Sequence, residues 1–378
     1  EMAVVESPVD TSLSTLNVSS TQNFLMELAS EYRKFIKCPV VGITGSNGKT
    51  TTKDLLSHVL SFEMDIMSTR GNFNSTIGVP LSIFECGETH NVAIIEMGAS
   101  MPGEIEYICN ILQPDMGVIT NVYEAHLENF GNIQEVANTK SALFSSLDQS
   151  GTAFVNLDDP FISNLPTDCK RVTYSFTQSS DFQGSWSAYK QNLIINNISI
   201  SLAFPSETMG MNSLAVFSIA SHLGMQDHII KSQLESFQLP TGRGNIIKIR
   251  DIKIINDSYN ANLESARSGI DNLILQGQAK RKIAVIGDML ELGDVDKDHH
   301  QILGKYLTEK EVDAVFAFGE LTQHTIKAMN GSSNFHQFYD NKDDLISELK
   351  SFISKGDVIY IKGSRGMKME EVIEGLEN

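Results

Sequence analysis

Basic residues are scarce in this chain: 29 lysines and arginines stand against 47 aspartates and glutamates, a formal net charge of -18. So acidic a surface argues against nucleic acid and anionic membranes as partners, and leaves any anionic substrate to a local basic site. Cysteine is equally sparse. Cys38, Cys86, Cys109 and Cys169 lie far apart with no C-x-x-C spacing, which suggests neither a disulfide framework nor a zinc site and makes a reducing cytoplasm the expected compartment. Long apolar runs are missing too. The longest uncharged stretch, Thr208 to Gln226, contains Asn212, Ser213, Ser218, Ser221 and His222, which would be costly in lipid, so it reads as a buried core helix rather than a membrane insertion. No signal peptide, solenoid repeat or low-complexity segment is visible. The chain opens at Glu1 rather than at a methionine, which suggests a trimmed start.

What is present is an ordinary globular composition, 41% hydrophobic and 20% charged, over 378 residues, enough for about two or three domains. The most informative stretch is Pro39 to Leu56, PVVGITGSNGKTTTKDLL. A β-branched run (Val40, Val41, Ile43) leads into a loop read as holding Gly42, Gly45 and Gly48, and Lys49, Thr50 and Thr51 then open a helical pattern. Such a loop is a phosphate cradle: glycines let the backbone approach a ligand, the helix start aims N–H groups outward, and the lysine reaches the β- and γ-phosphates. The general G-x-x-x-x-G-K-[ST] pattern wants glycine at Ile43, and the nearest is Gly42, one residue early. A plain strand-to-helix turn is the competing reading of the loop alone.

Taken in order, Ala3 to Val5 read as the end of a strand whose partners are missing, followed by a polar stretch to Ser20. A helix follows over Phe24 to Ile36, with Ser19 or Ser20 as its cap. Strands at 65–68, 92–96, 116–122 and 152–156 alternate with helical patterns at 105–112 and 133–147, the mark of parallel βαβ units. Residues 181–204 read as a small antiparallel layer, and helices follow at 213–223 and 228–237. Past Leu239-Pro240-Thr241-Gly242 a second α/β series begins, with strands at 253–255, 282–286, 312–318 and 358–361. The fold expected is α/β: a P-loop central domain with a mainly parallel sheet and a small antiparallel layer (37–240), then a Rossmann-like C-terminal domain (241–378), with 1–36 as the remnant of an N-terminal domain plus a linker helix. Ligands of such sheets sit beyond the carboxyl ends of the strands.

Several polar residues stand at those ends. Glu96 closes an apolar strand, where a Mg²⁺ ligand belongs in nucleotide-hydrolysing sheets, although a solvated strand-end glutamate explains it about equally well. His126 follows another strand, but a lone histidine is more often packed or exposed than a ligand. On spacing alone Lys140 is a solvated helix lysine. Asn256 to Asn262 (NDSYNAN), Asp288 to Gly293 (DMLELG) and Lys362 to Arg365 (KGSR) give the last domain three polar strand ends. A helix cap would explain Asp257 or Ser258 singly.

Together these blocks resemble the Mur ligases, ATP-dependent amide-forming enzymes of peptidoglycan synthesis. The resemblance runs from about Asp10 to the C-terminus and rests on TGSNGKTTTK (44–53), GNFNSTIGVP (71–80), EMGA (96–99), AHLENFG (125–131), NDSYNAN (256–262), GDMLELG (287–293) and KGSR (362–365). It is nearest to the member that adds D-alanyl-D-alanine (D-Ala-D-Ala) to UDP-N-acetylmuramoyl-tripeptide through an acyl phosphate. It implies that Gly45, Asn47, Gly48, Lys49, Thr50 and Thr51 hold ATP, with Asn212 at the adenine, Arg243 near the γ-phosphate and Asp257 at the ribose. Lys49, Glu96, His126 and Lys140 are the implied catalytic set. Mg²⁺ would be held by Thr50 and Glu96, and a second ion by His126 with Lys140 in carbamylated form. Asn72, Asn74, Tyr259, Asn260, Asn262 and Arg365 fall to the substrates, and a monomer is expected.

The chain departs from the family in three places. Thr208-Met209 stands where relatives carry His-Asn, Ala142 where they often carry glutamate, and of the front domain that grips the uridine end only a last strand is expected. Two rival readings stay open: another ligase of the superfamily with a different acceptor, and a catalytically silent nucleotide-binding scaffold. Retention of Lys49, Glu96, His126 and Lys140 together argues against silence.

Overall fold

A computed structural model describes residues 2–187, 192–202, 206–332 and 334–377. Contacts divide the chain into two compact units, one of Glu1–Val122, Gln134–Gln183 and Leu214–Gln233, the other of Tyr123–Ile133, Gly184–Ser213 and Leu234–Asn378.

The first unit opens with β1 (Met2–Val5) and β2 (Ser14–Asn17), which pair in parallel with Met2 opposite Ser14. This corrects the expectation of a strand without partners: the mate lies in the polar stretch, whose residues are exposed and so carry no apolar pattern. Helix α1 (Thr21–Arg33) is capped by Ser20, whose Oγ accepts from Asn23 N at 3.2 Å. There follow β3 (Val40–Thr44), α2 (Lys49–Leu60), β4 (Ile66–Ser68), α3 (Gly78–Ile83), β5 (Val92–Glu96), α4 (Glu104–Leu112), β6 (Met116–Ile119), then α5 (Leu127–Phe130), which belongs to the second unit, and α6 (Ile133–Ser145), β7 (Thr152–Asn156), β8 (Lys170–Ser175) and β9 (Phe182–Ser187). The strands run in the order β9-β8-β7-β6-β3-β5-β4, all parallel, so β3 lies between β5 and β6 near the centre. Strands β3, β5, β6 and β7 are buried along their whole length. A parallel strand covered on both faces reads as a continuous apolar run, which is why these four were legible. β8, with its exposed start at Lys170 and Arg171, was not.

β9 is shared between the units, its end belonging to the second with β10 (Asn192–Ile195) and β11 (Ile198–Ser201). These three form the expected antiparallel layer, Leu193 standing opposite both Trp186 and Ile200. Helices α7 (Glu207–His222) and α8 (Asp227–Ser236) follow, their Leu214–Gln233 portion belonging to the first unit, and α7 begins six residues ahead of the predicted start.

The rest of the second unit comprises β12 (Asn245–Ile249), β13 (Ile252–Asp257), α9 (Leu263–Ile274), β14 (Lys282–Gly287), α10 (Asp296–Glu309), β15 (Ala314–Phe318), α11 (Thr322–Ala328), β16 (Phe335–Tyr339), α12 (Lys342–Phe352), β17 (Val358–Lys362) and α13 (Glu370–Glu377). Its sheet runs β12-β13-β17-β14-β15-β16, parallel except for the hairpin of β12 with β13. Side chains alternate strictly across it. Ile255, Ala284 and Tyr360 join the core on one face, Ile254, Val285 and Ile359 the core on the other. Because β13, β17 and β14 are neighbours, the three polar strand ends meet at one edge. β12 and β16 were missed, since both are partly exposed edge strands.

Candidate active site

The phosphate loop is shorter than the sequence suggested. Gly42 and Ile43 are strand residues inside β3, and Gly42 is there for packing: a Cβ would stand 2.8 Å from Met97 Cε. The turn proper is Gly45 to Gly48, so the mismatched glycine position falls in the strand, where nothing requires glycine. Gly45 has φ 148°, and a Cβ on it would meet Thr120 Oγ1 at 1.9 Å; Gly48, at φ 79°, launches α2.

Around the turn the first unit assembles several of the expected residues. Lys49 Nζ folds back over the loop and donates to the carbonyls of Gly45 (2.7 Å) and Ser46 (3.2 Å). Thr50 Oγ1 donates to Glu96 Oε1 at 3.1 Å, and the same oxygen receives Asn74 Nδ2 at 2.7 Å. Glu96 is only 2% exposed, and its Oε2 has no hydrogen-bond partner among the described residues. A buried carboxylate with one oxygen unspent is costly alone, and it suits a cation. The backbone behind it is fixed: Glu96 N donates to Thr69 Oγ1 at 3.0 Å, and buried Lys53 donates to Thr69 O at 2.9 Å. Lys140 is buried on α6. Burial, with the nearby charge of Lys49, lowers its amine to about pKa 7. That is not the solvated lysine its spacing suggested. Thr51 is half-buried on α2, and Asn72 is exposed beside Asn74, whose N–H donates to Asn72 O at 2.7 Å.

Thr120 and Asn121 went unnoticed as loop contacts. The apolar run predicted through Val122 ends as a strand at Ile119, because the next two residues turn their polar groups to the glycine loop. The signal available was only two polar residues after a buried strand.

The second unit holds the other expected residues. His126 has left-handed geometry (φ 52°), and its Nδ1 lies 2.6 Å from Glu291 Oε2, itself at φ 64°. Asn212 is buried on α7. The Arg243 guanidinium lies 3.6 Å from the Tyr259 ring centroid, with that of Arg365 6.0 Å from the same ring. Asp257 Oδ2 receives Lys362 Nζ at 2.6 Å and Tyr360 Oη at 3.1 Å. Asn260 Oδ1 accepts from Arg365 N at 3.3 Å. Asn262 is the cap of α9: its Oδ1 accepts from Ser265 N (2.9 Å) while Ser265 Oγ accepts from Asn262 N (3.1 Å). The capping role considered for Asp257 or Ser258 thus belongs to Asn262, which alone directly precedes the helix.

A central parallel strand, a glycine turn with a folded-back lysine, a helix starting at Lys49-Thr50 and a buried strand-end carboxylate define a nucleotide-binding α/β protein of the P-loop class. Residues 43–220 match the Mur ligase middle domain, and residues 242–365 match the Mur ligase, glutamate ligase domain. The UDP-N-acetylmuramoyl-tripeptide–D-alanyl-D-alanine ligase of Bacillus subtilis (strain 168) is 33% identical over 370 residues, 95% of this chain and 80% of that protein. The ligase of the same name in Escherichia coli (strain K12) is 29% identical, covering 99% of this chain and 84% of its own. Among solved structures, MurF from Acinetobacter baumannii superposes with a TM-score of 0.90 at 29% identity, covering 99% of this chain and 84% of that one. MurF ligase from Thermotoga maritima in complex with ADP gives 0.88 at 28%, covering 99% and 87%. The chain belongs to the Mur ligase family, and it is a ligase.

Proposed function

We propose that this chain joins D-Ala-D-Ala to UDP-N-acetylmuramoyl-tripeptide at the expense of ATP, making a peptidoglycan precursor. The observation that supports the chemistry is the buried Glu96 carboxylate, one oxygen held by Thr50 and Asn74 and the other unspent, beside the lysine of a glycine loop. The choice of substrates rests on the names of the relatives.

On this reading Gly45, Asn47, Gly48, Lys49, Thr50 and Thr51 form the phosphate cradle. Lys49 leaves its loop carbonyls for the γ-phosphate and offsets the charge that develops on the phosphoryl oxygens. The tripeptide's terminal carboxylate oxygen attacks the γ-phosphorus and ADP leaves. The dipeptide amine then attacks the acyl carbon, phosphate departs, and the amine loses a proton. Thr50 and Glu96 suit a first Mg²⁺, with His126 and Lys140 for a second; bound there, Mg²⁺ neutralises charge on the transferring phosphoryl group. As an ammonium Lys140 could bind no cation. Its lowered pKa supports the carbamate: a neutral amine adds to CO₂, a C–N bond forms, a proton leaves, and an anionic ligand results. Asn212, Arg243 and Asp257 attend adenine, γ-phosphate and ribose. Asn72, Asn74, Tyr259, Asn260, Asn262 and Arg365 attend the peptide substrates.

The domain limits proposed are 1–36, 37–240 and 241–378, and the working form is a cytoplasmic monomer. Among the described residues no helix is long and apolar enough to cross a membrane. The test is phosphate release with mass spectrometry of the product. Phosphate should appear only when ATP, tripeptide acceptor and D-Ala-D-Ala are all present, together with a product heavier than the acceptor by one dipeptide less water. Phosphate release that ignores acceptor and amine would overturn the reading.

A further inference from the structure

The loop that cradles phosphate does not hold its own shape. Asn121, 8% exposed just past β6, clasps one loop residue from both sides: Asn47 N donates to its Oδ1 at 2.8 Å, and its Nδ2 donates to Asn47 O at 3.1 Å. Its main chain joins in, with Ser46 N donating to Asn121 O at 3.0 Å. Thr120, 3% exposed, adds its hydroxyl, 2.6 Å from Asn47 O and 3.3 Å from Thr44 O. The clasp is itself anchored. Val122 N donates at 2.8 Å to Asp159 Oδ2, while the other oxygen of that buried carboxylate accepts from Phe161 N and Ile162 N.

We propose that Asn121, with Thr120, is the positioning residue of the phosphate loop, fixing the turn before nucleotide arrives so that the start of α2 is already held in place for the phosphates. The N–H groups of Ser46 and Asn47 both donate to Asn121, so the turn is tied to the end of β6 immediately before α2 begins, and the N-terminal end of a helix is where phosphate is favoured. A glycine turn without side chains to brace it would lose conformational entropy on binding, and a preformed turn avoids that loss. Gly45 completes the fit, since any Cβ there would collide with the Thr120 hydroxyl. Asn121 touches the loop's backbone from the side of the sheet and acts through the loop. The proposal rests on the assignment of the loop to ATP.

The test compares wild type with Asn121→Ala, Thr120→Val and Thr120→Ser in the full chain, measuring Mg-ADP affinity by calorimetry and the KM of each substrate. Lys49→Met serves as the control for loss of the cradle. Asn121→Ala should weaken nucleotide binding and raise the KM for ATP by about 10- to 100-fold, leaving the KM for D-Ala-D-Ala unchanged. Thr120→Val should lose about tenfold, and Thr120→Ser, which keeps the hydroxyl, should recover wild-type binding. Wild-type binding with Asn121→Ala and Thr120→Val both within twofold of it would overturn this inference while sparing the assignment of the loop. Absence of nucleotide binding by wild type itself would overturn that assignment. Should Asn121→Ala fail to fold, the contrast of valine with serine at position 120 decides.

Discussion

Asn74 Nδ2 donates to Glu96 Oε1 at 2.7 Å, sharing that oxygen with the Thr50 hydroxyl. The pair turns one arm of a buried carboxylate toward protein donors and leaves the other arm unspent. Asn74 was expected on the muramoyl-peptide side; its side chain is bonded to the proposed metal carboxylate, and any contact with substrate is made from there. Asn74→Ala should free the carboxylate to rotate and raise the Mg²⁺ concentration needed for half-maximal activity by about 10- to 100-fold. A Mg²⁺ titration at saturating ATP checks it, and an unchanged midpoint would count against the pairing.

Glu96→Gln removes the charge while keeping the shape. In the absence of ligand it should leave the melting temperature unchanged or raised, because a carboxylate with an unpartnered buried oxygen burdens the fold. With Mg-ADP the order reverses: wild type gains about 2.7 kcal/mol at a hundred times its dissociation constant, and the variant gains much less. Differential scanning calorimetry with and without the nucleotide reads both effects.

Lys49→Met should lower kcat/KM by at least about 10²-fold, the usual cost of one preorganised charge stabiliser. Its ammonium donates to the loop carbonyls of Gly45 and Ser46, so the folding of the variant is checked beside its activity. Steady-state phosphate release, with circular dichroism as the folding control, settles the matter.

Lys140 carries the pH dependence. Its pKa falls from 10.5 in the unfolded chain to about 7 in the folded one, chiefly through burial, secondarily through Lys49. Below pH 7 the amine is protonated in both states, and the fold bears the full cost of a buried ammonium. Between pH 7 and 10.5 the unfolded chain binds the extra proton, so stability rises with pH and the burden fades. In CO₂-free buffer, Lys140→Met should therefore unfold at higher urea than wild type at pH 6, with the gap narrowing toward pH 10. Adding ¹³C-labelled bicarbonate should give wild type, but not the variant, a carbamate carbon signal by NMR.

Lys362, 3% exposed, is bonded to Asp257 at 2.6 Å at the meeting of β17 and β13. Lys362→Met strands the carboxylate and should cost about 3–5 kcal/mol, whereas Lys362→Met combined with Asp257→Asn should recover much of that loss. Urea denaturation of the two variants gives the comparison. Equal losses would mean the pair contributes nothing specific.

The architecture was largely legible because both sheets are mainly parallel, and parallel strands covered on both faces spell themselves as short apolar runs. Val40–Thr44, Val92–Glu96, Thr152–Asn156 and Val358–Lys362 are of this kind. Edge strands such as Asn245–Ile249 and Phe335–Tyr339 half face solvent, and Ser14–Asn17 lies wholly exposed, so composition does not mark them. At the candidate site, a local motif marked Lys49 and Thr50, whereas Glu96 was weighed evenly against a solvated strand-end glutamate and its burial appeared only in the structure. Thr120 and Asn121 were not marked, since their task is a contact across 73 or 74 residues of chain.

By itself the sequence determined the buried strands, their alternation with helices and the presence of a glycine turn, because apolar runs, helix starts and left-handed glycines act over a few residues. Tertiary structure alone decided that Gly42 packs a strand, that Asn262 caps a helix, that Asn74 serves a carboxylate, and that Lys140 is a buried amine near neutrality. Each of those depends on which groups come within a few ångströms of one another and on how much water they lose, and neither quantity is a function of local spacing.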